Sequence, residues 1–233
     1  MRVLDSAPKQ TRRQFVRALP LMGSAGILGG RLLSAEEQKE EDEGVSTNED
    51  LMREHGILKR VLLAYDEIIR RIHSNQDFPP QAVIEGATII RKFVEDYHEK
   101  LEEDHLFPRF RKAGKLVPLV ETLLRQHQAG RTITDRVLAA ASSLKMPADR
   151  NRLASDLEAF NRMYAPHEAR EDTVLFPELH KIVSRHEYDA MGEQFERIER
   201  KAFGGDGFDI YLDKMEALEQ RLGIFDLNQF TPK

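Results

Sequence analysis

Two eleven-residue blocks hold most of the residues that could do chemistry. His98-Glu99-Lys100-Leu101-Glu102-Glu103-Asp104-His105-Leu106-Phe107-Pro108 aligns without gaps to His167-Glu168-Ala169-Arg170-Glu171-Asp172-Thr173-Val174-Leu175-Phe176-Pro177. Both read H-E-x-x-E-acid-x-x-L-F-P. In a helix, residues i and i+4 share one face a turn apart, so His98 with Glu102, and His167 with Glu171, each present an imidazole beside a carboxylate. A fainter match sets Arg53-Glu54-His55-Gly56 against Arg125-Gln126-His127-Gln128. Facing pairs on antiparallel helices, joined by His55 and His127, give four imidazoles and two carboxylates. That set suits two closely spaced iron ions, because imidazole binds borderline metals and carboxylates can bridge and neutralise them. The chain has no Cys, which excludes thiolate metal sites, iron-sulfur clusters, disulfides and cysteine catalysis.

Four amphipathic helices are needed to bring these residues together. Leu51, His55, Leu58, Leu62, Tyr65, Ile69 and Ile72 follow a 4, 3 spacing that marks the inner seam of a first helix. After the break at Asp77-Phe78-Pro79-Pro80, a second helix from about Gln81 carries Ala87, Ile90, Val94, His98 and Leu101. Gly114 and Pro118 separate it from a third, with Val120, Leu124, His127, Thr134, Leu138 and Ala141 inward. Beyond Lys145-Met146-Pro147, a fourth uses Leu153, Leu157, Phe160, Tyr164, His167, Glu171 and Val174, with a bend expected at Pro166 just before His167. A histidine sits on each of the four seams. One such residue is ordinarily a satisfied core histidine. Four of them, two in identical blocks, call for a shared explanation, and a metal inside the bundle supplies one. Tyr188 to Phe203 and Asp209 to Leu222 read as two further helices that pack on the bundle. The expected fold is therefore all-α, an up-down four-helix bundle with additional C-terminal helices.

At these residues the sequence resembles the hemerythrin family and its broader set of His-His-Glu cation-binding domains, over about residues 48 to 185. The resemblance implies that His55, His98, His127 and His167 are terminal ligands and that Glu102 and Glu171 bridge two non-haem iron ions, joined by an oxo or hydroxo group. It implies a centre that binds or reacts with oxygen, nitric oxide or peroxide, either as carrier or sensor or as a redox enzyme such as a peroxidase or oxidase. Two positions depart from the oxygen carriers of that family. Their further histidine one turn into the third helix is here Arg131, which reads either as a solvated side chain or as a gate. Their second bridging ligand is an Asp five residues after its His, so Asp172 competes with Glu171, and the symmetry of the repeat favours Glu171. His73, His105, His180 and His186 have no counterparts in the repeat and read as surface or packing residues. Glu99 and Glu168 read as residues that orient neighbours or face solvent.

Composition restricts the remaining readings. The net charge is -5, yet residues 1–35 carry +5, which leaves -10 on the remainder. That acidic body has no basic stripe with interleaved aromatics, which argues against nucleic acid as a partner. Thr11-Arg12-Arg13-Gln14-Phe15-Val16, an apolar stretch from Ala18 to Gly30, and Leu33-Ser34-Ala35 together resemble a twin-arginine export signal. It implies the twin-arginine machinery as partner and a periplasmic or exported destination, with no integral membrane protein unless the signal stays as an anchor. Residues 36–47, with Glu36, Glu37, Glu40, Glu41, Asp42 and Glu43, read as an acidic linker. The expected organisation is thus a signal over 1–35, the linker over 36–47, the bundle over 48–185 and a helical extension over 186–233. The redox partner is not named by the sequence.

Overall fold

The computed structural model describes residues 46–141 and 146–232. The twin-arginine segment and most of the acidic linker lie outside the described residues. Among those described there is helix and no strand, and no helix is long and apolar enough to cross a membrane.

The first helix, Thr47–His73, starts at Ser46, whose side chain accepts from the Glu49 backbone N–H. Such a cap satisfies one of the donors that a helix start leaves without a partner. Leu51, Leu58, Leu62, Tyr65, Ile69 and Ile72 are all buried, as their spacing predicts. The second helical rod is continuous from 80 to 113 and ends at Gly114, whose φ of 64° suits a residue without a side chain. The third helix, Val117–Ala140, and the fourth, Pro147–Arg170, complete a ring in which first touches second, second third, third fourth, and fourth first. This is the expected up-down bundle.

Two further helices, Arg185–Phe203 and Gly207–Leu222, pack on the first and second rods. They belong to the same core. Tyr211 stacks on Phe93 with ring centres 4.7 Å apart, and Phe203 meets Tyr97 edge-on at 5.1 Å. Gly86 gives Tyr65 and Leu218 room to meet, because a Cβ there would stand 3.0 Å from the tyrosine ring. Each aliphatic or aromatic side chain buried this way contributes about 1.5–3 kcal/mol.

The rods depart from α geometry beside the repeated blocks. The second contains π-helical stretches at Ile90–His98 and Glu102–Leu106, and the fourth continues into one at Glu171–Leu175 before the α-helix Phe176–Ile182. A π turn admits an extra residue and rotates everything after it, so the inward position following Glu171 is Leu175, and Val174 is only half-buried. The same shift makes Leu106 follow Glu102 inward. The fourth helix stays α-helical through Pro166. Its irregularity begins at Glu171, after His167, where the expectation put a bend before it. On the third helix Val120, His127, Thr134 and Ala141 are buried as expected, while Leu124 and Leu138 are half-buried and their neighbours Leu123 and Val137 are buried.

Candidate metal centre

The fold brings all six expected residues into one buried cage. His55, His98, His127 and His167 are at most 4% exposed, and Glu102 and Glu171 are fully buried. The imidazoles converge in two pairs: His55 Nε2 lies 3.0 Å from His98 Nε2, and His127 Nε2 lies 3.2 Å from His167 Nε2. Each glutamate reaches one histidine of each pair. Glu102 stands 3.4 Å from His127 Nε2 and 3.9 Å from His98 Nε2, while Glu171 stands 3.1 Å from His167 Nε2 and 3.5 Å from His55 Nε2. The potential ligand atoms form two groups, His55-His98-Glu102 and Glu102-His127-His167-Glu171, each within a span of 4.8 Å. Glu102 belongs to both.

Every ring is oriented from behind. Nδ1 of His55 meets Asp172 Oδ1 at 2.7 Å, that of His98 meets Glu54 Oε2 at 2.7 Å, that of His127 meets Glu103 Oε1 at 3.1 Å, and that of His167 meets Gln126 Oε1 at 2.9 Å. With Nδ1–H donating outward, each Nε2 faces the cage as a bare lone pair. The four partners are sequence neighbours of the cage residues. Glu54 and Gln126 precede His55 and His127, and Glu103 and Asp172 follow Glu102 and Glu171. Asp172 is thereby committed to His55, which leaves Glu171 as the carboxylate facing inward. Phe107 and Phe176, from the repeated L-F-P, stack on His127 and His55 with ring centres 5.5 and 5.4 Å apart.

The pseudo-two-fold extends one turn further out. Arg131 contacts Glu99 and Glu103, each at 2.7 Å, and Lys59, its counterpart in the first helix, contacts Glu168 at 3.0 Å. Glu99 and Glu168 are both buried and orient these cations, and neither faces solvent. Arg131 is neither freely solvated nor inside the cage. Its guanidinium occupies the outer side, against Glu99 and Glu103, which with His127 make a third group of potential ligand atoms. Tyr164 donates to Glu99 at 2.6 Å. The other histidines lie elsewhere: His73 pairs with Glu158, His105 and His180 pack on Phe195 and Tyr188, and His186 is exposed.

The cage fits cations on its own chemistry. None of the four oxygens of Glu102 and Glu171 receives a hydrogen bond, although all are buried, and leaving such atoms without partners is costly. Two bare imidazole nitrogens about 3 Å apart repel unless something positive lies between them. Ligands at right angles on an ion with metal–nitrogen bonds of about 2.0–2.1 Å stand roughly that far apart. The titration behaviour shows the same tension. Burial, and next the charge of Glu171, push the Glu102 carboxyl well above the usual range. Burial also acts to raise Glu171, but the surrounding His167, His55 and His127 outweigh it and hold that carboxyl down. Burial and the neighbouring His55 push His98 down to about 3, which keeps it in the neutral, metal-binding form.

Sequence reasoning found the six cage residues and missed the outer partners. Their signal was present in the acid that ends each repeated H-E-x-x-E-acid motif and in the residue before each of His55 and His127.

Comparison with known proteins agrees with this geometry. Three curated relatives, uncharacterized proteins of Mycobacterium bovis and of two strains of Mycobacterium tuberculosis, are each 50% identical over 196 residues, covering 83% of this chain and 76% of the relative. No solved structure matches the chain at a significant level. The family profile described as Hemerythrin HHE cation binding domain matches residues 46–179 and again 119–223. With its helical ring and its buried His/Glu cage, this chain belongs to the hemerythrin HHE cation-binding family.

Proposed function

We propose that the cage holds two iron ions, with His55 and His98 on one, His127 and His167 on the other, and Glu102 and Glu171 shared between them. The observation that carries this reading is the set of four buried carboxylate oxygens without hydrogen bonds, placed between two converging pairs of imidazole nitrogens. Six ligands exceed what a single tetrahedral ion takes. When bound, such a pair supplies reversible or irreversible electron transfer to oxygen, nitric oxide or peroxide. The chain's own residues aim the imidazoles inward, share the carboxylates, and exclude bulk water with Phe107 and Phe176. Elemental analysis tests the reading: about two iron atoms per chain is the expected result, and one zinc per chain without iron from iron-replete cells overturns it.

Between carriage and turnover, Arg131 favours turnover. It stands where the oxygen carriers place a further histidine, and its guanidinium is engaged with Glu99 and Glu103 and offers no ligand. The centre then keeps exchangeable positions and is spent by oxygen or peroxide. Anaerobic reduction followed by oxygen and deoxygenation distinguishes the two. Full recovery of the reduced spectrum means carriage, and rapid oxidation with repeated peroxide consumption means an enzyme. The proposal extends to the residues outside the described part: the twin-arginine motif directs the protein out of the cytoplasm through the export route that carries folded proteins.

A further inference from the structure

The two C-terminal helices bring aromatic rings against the second rod, and one of the rings they meet is tied to a cage histidine. Tyr97 is buried and precedes His98 in the chain. Its hydroxyl donates to Glu54 Oε1 at 3.1 Å, and the other oxygen of that carboxylate meets His98 Nδ1 at 2.7 Å. The Tyr97 ring also meets Phe203 edge-on with centres 5.1 Å apart, and Phe203 meets Tyr211 in the same way at 5.2 Å. Phe93 closes the cluster, 5.7 Å from Tyr97 and 4.7 Å from Tyr211. Phe203 is half-buried, and the amine of the exposed Lys214 lies 4.1 Å from the centre of the Tyr211 ring. A run of contacts therefore starts at a cage histidine and ends at the outer side of the C-terminal helices.

Packing alone asks only for apolar rings here, and positions 93 and 203 use phenylalanine. The hydroxyl of Tyr97 adds a proton held within reach of a buried carboxylate. A phenol gives up an electron far more readily when a hydrogen-bonded base takes its proton in the same step. Tyr164 also donates to a buried carboxylate, but Glu99 backs no histidine, and the ring neighbours of Tyr164, Phe160 and His167, lie within the bundle. We infer that Tyr97 is redox-active and that the cluster of Tyr97, Phe93, Phe203 and Tyr211 carries electrons to the cage from a one-electron donor at the C-terminal helices. This rests on the reading of the cage as an iron pair that peroxide oxidises, and it gives the C-terminal extension a function within that reading. Reduction of one peroxide to two waters consumes two electrons and two protons. In each of two rounds Tyr97 gives an electron toward the cage and its proton to Glu54. An electron arriving through Tyr211, with return of the proton from Glu54, restores the phenol. Two donor molecules are thus each oxidised by one electron, and the protons consumed in forming water come from solvent.

The test is electron paramagnetic resonance of the iron-loaded protein, reduced without oxygen, mixed with excess peroxide and rapidly frozen. A parallel sample contains hydroxymethylferrocene as the donor. Without donor, wild type is expected to give a tyrosyl signal, identified by its narrowing when the tyrosines are ring-deuterated. With donor, that signal is lost as ferrocenium forms. Tyr97→Phe keeps the ring and is expected to abolish both the signal and ferrocenium formation. Tyr211→Phe is expected to keep the signal and to lose its quenching by the donor. Iron content and circular dichroism of each variant check that the cage and the bundle are intact. A signal that survives in Tyr97→Phe, or that Tyr164→Phe removes instead, overturns the inference. So does ferrocenium formation at the wild-type rate in Tyr211→Phe, or the absence of any tyrosyl signal in protein that holds iron and consumes peroxide. Protein that holds no iron, or iron that peroxide does not oxidise, overturns the redox reading and this inference with it.

Discussion

Tyr164 puts its hydroxyl into space that only a glycine at 130 leaves open: a Cβ on Gly130 would lie 2.0 Å from the Tyr164 oxygen. From that position the hydroxyl donates to Glu99 at 2.6 Å, and its ring lies 5.3 Å from His167. A missing side chain on the third helix thus fixes a phenol on the fourth, beside the cage and beside Arg131.

Gly130→Ala should therefore destabilise the protein by about 1–3 kcal/mol, the usual cost of overpacking a filled core. Gly56→Ala is the internal control. Nothing lies within 4 Å of a Cβ placed there and the residue is exposed within the first helix, so that change should stabilise by about 0.5–1 kcal/mol. Urea midpoints measure both, and equal shifts in the same direction would remove the steric account of Gly130.

Replacing His98 or His167 by Ala should lower metal content and thermal stability together, because binding energy at an interior site is also folding energy. His186→Ala should change neither, since that residue is exposed and away from the cage. Metal analysis beside a melting curve reads the outcome. Equal metal loss in all three variants would show that the cage has no special claim on the metal.

Arg131→Gln should cost more than Lys59→Gln. Arg131 is only one-quarter exposed and serves both Glu99 and Glu103, whereas Lys59 is 53% exposed and serves Glu168 alone. Removing one partner leaves a buried carboxylate uncompensated, a loss of about 3–5 kcal/mol when fully buried. Solvent screening reduces this to about 1–3 kcal/mol for Arg131 and below about 1 kcal/mol for Lys59. Chemical denaturation at neutral pH ranks the pair, and the opposite order would contradict the contacts described.

Glu199 provides a pH test on a group outside the cage ligands. Its buried carboxylate accepts from the Gly207 and Phe208 backbone N–H groups at the start of the last long helix. Burial first, then the charges of Asp206, Glu54 and Asp50, raise it to about 7, with the Phe208 N–H acting in the opposite direction. A carboxyl raised on folding contributes stability that is fully present below its unfolded value near 4.5 and is lost as pH rises through about 7. Glu199→Gln keeps an acceptor for the helix start and removes the titration. The difference in stability between wild type and variant should move in the variant's favour between about pH 5 and about pH 8. A constant difference across that range would mean that Glu199 does not titrate there.

Changing Arg12 and Arg13 together to Lys should hold the protein in the cytoplasm, because the export receptor reads the paired arginines and charge alone does not replace them. Cell fractionation decides, and unchanged export would point to another route.

The sequence by itself determined the four seams, the six cage residues and the pseudo-repeat, because helical periodicity and i, i+4 spacing are local properties of the chain. The symmetry of the repeat favoured Glu171 over Asp172 as the inward carboxylate, but adjacent residues on a helix differ by a rotation that only packing fixes. The structure turns Asp172 onto His55 and Glu171 into the cage. The sequence could not place Val174, because a period of 3.6 assumes an α-helix and the π turn at Glu171 adds a residue, so Leu175 takes the inward position. Which partner stands behind which histidine was also closed to sequence reading. Glu54 serves His98 on another helix, not its neighbour His55, and Gln126 serves His167 in the same crossed fashion. Such contacts join residues 44 and 41 positions apart. Only the antiparallel docking of whole helices decides which distant side chains meet, and the unequal backing of the two histidine pairs is a property of that docking.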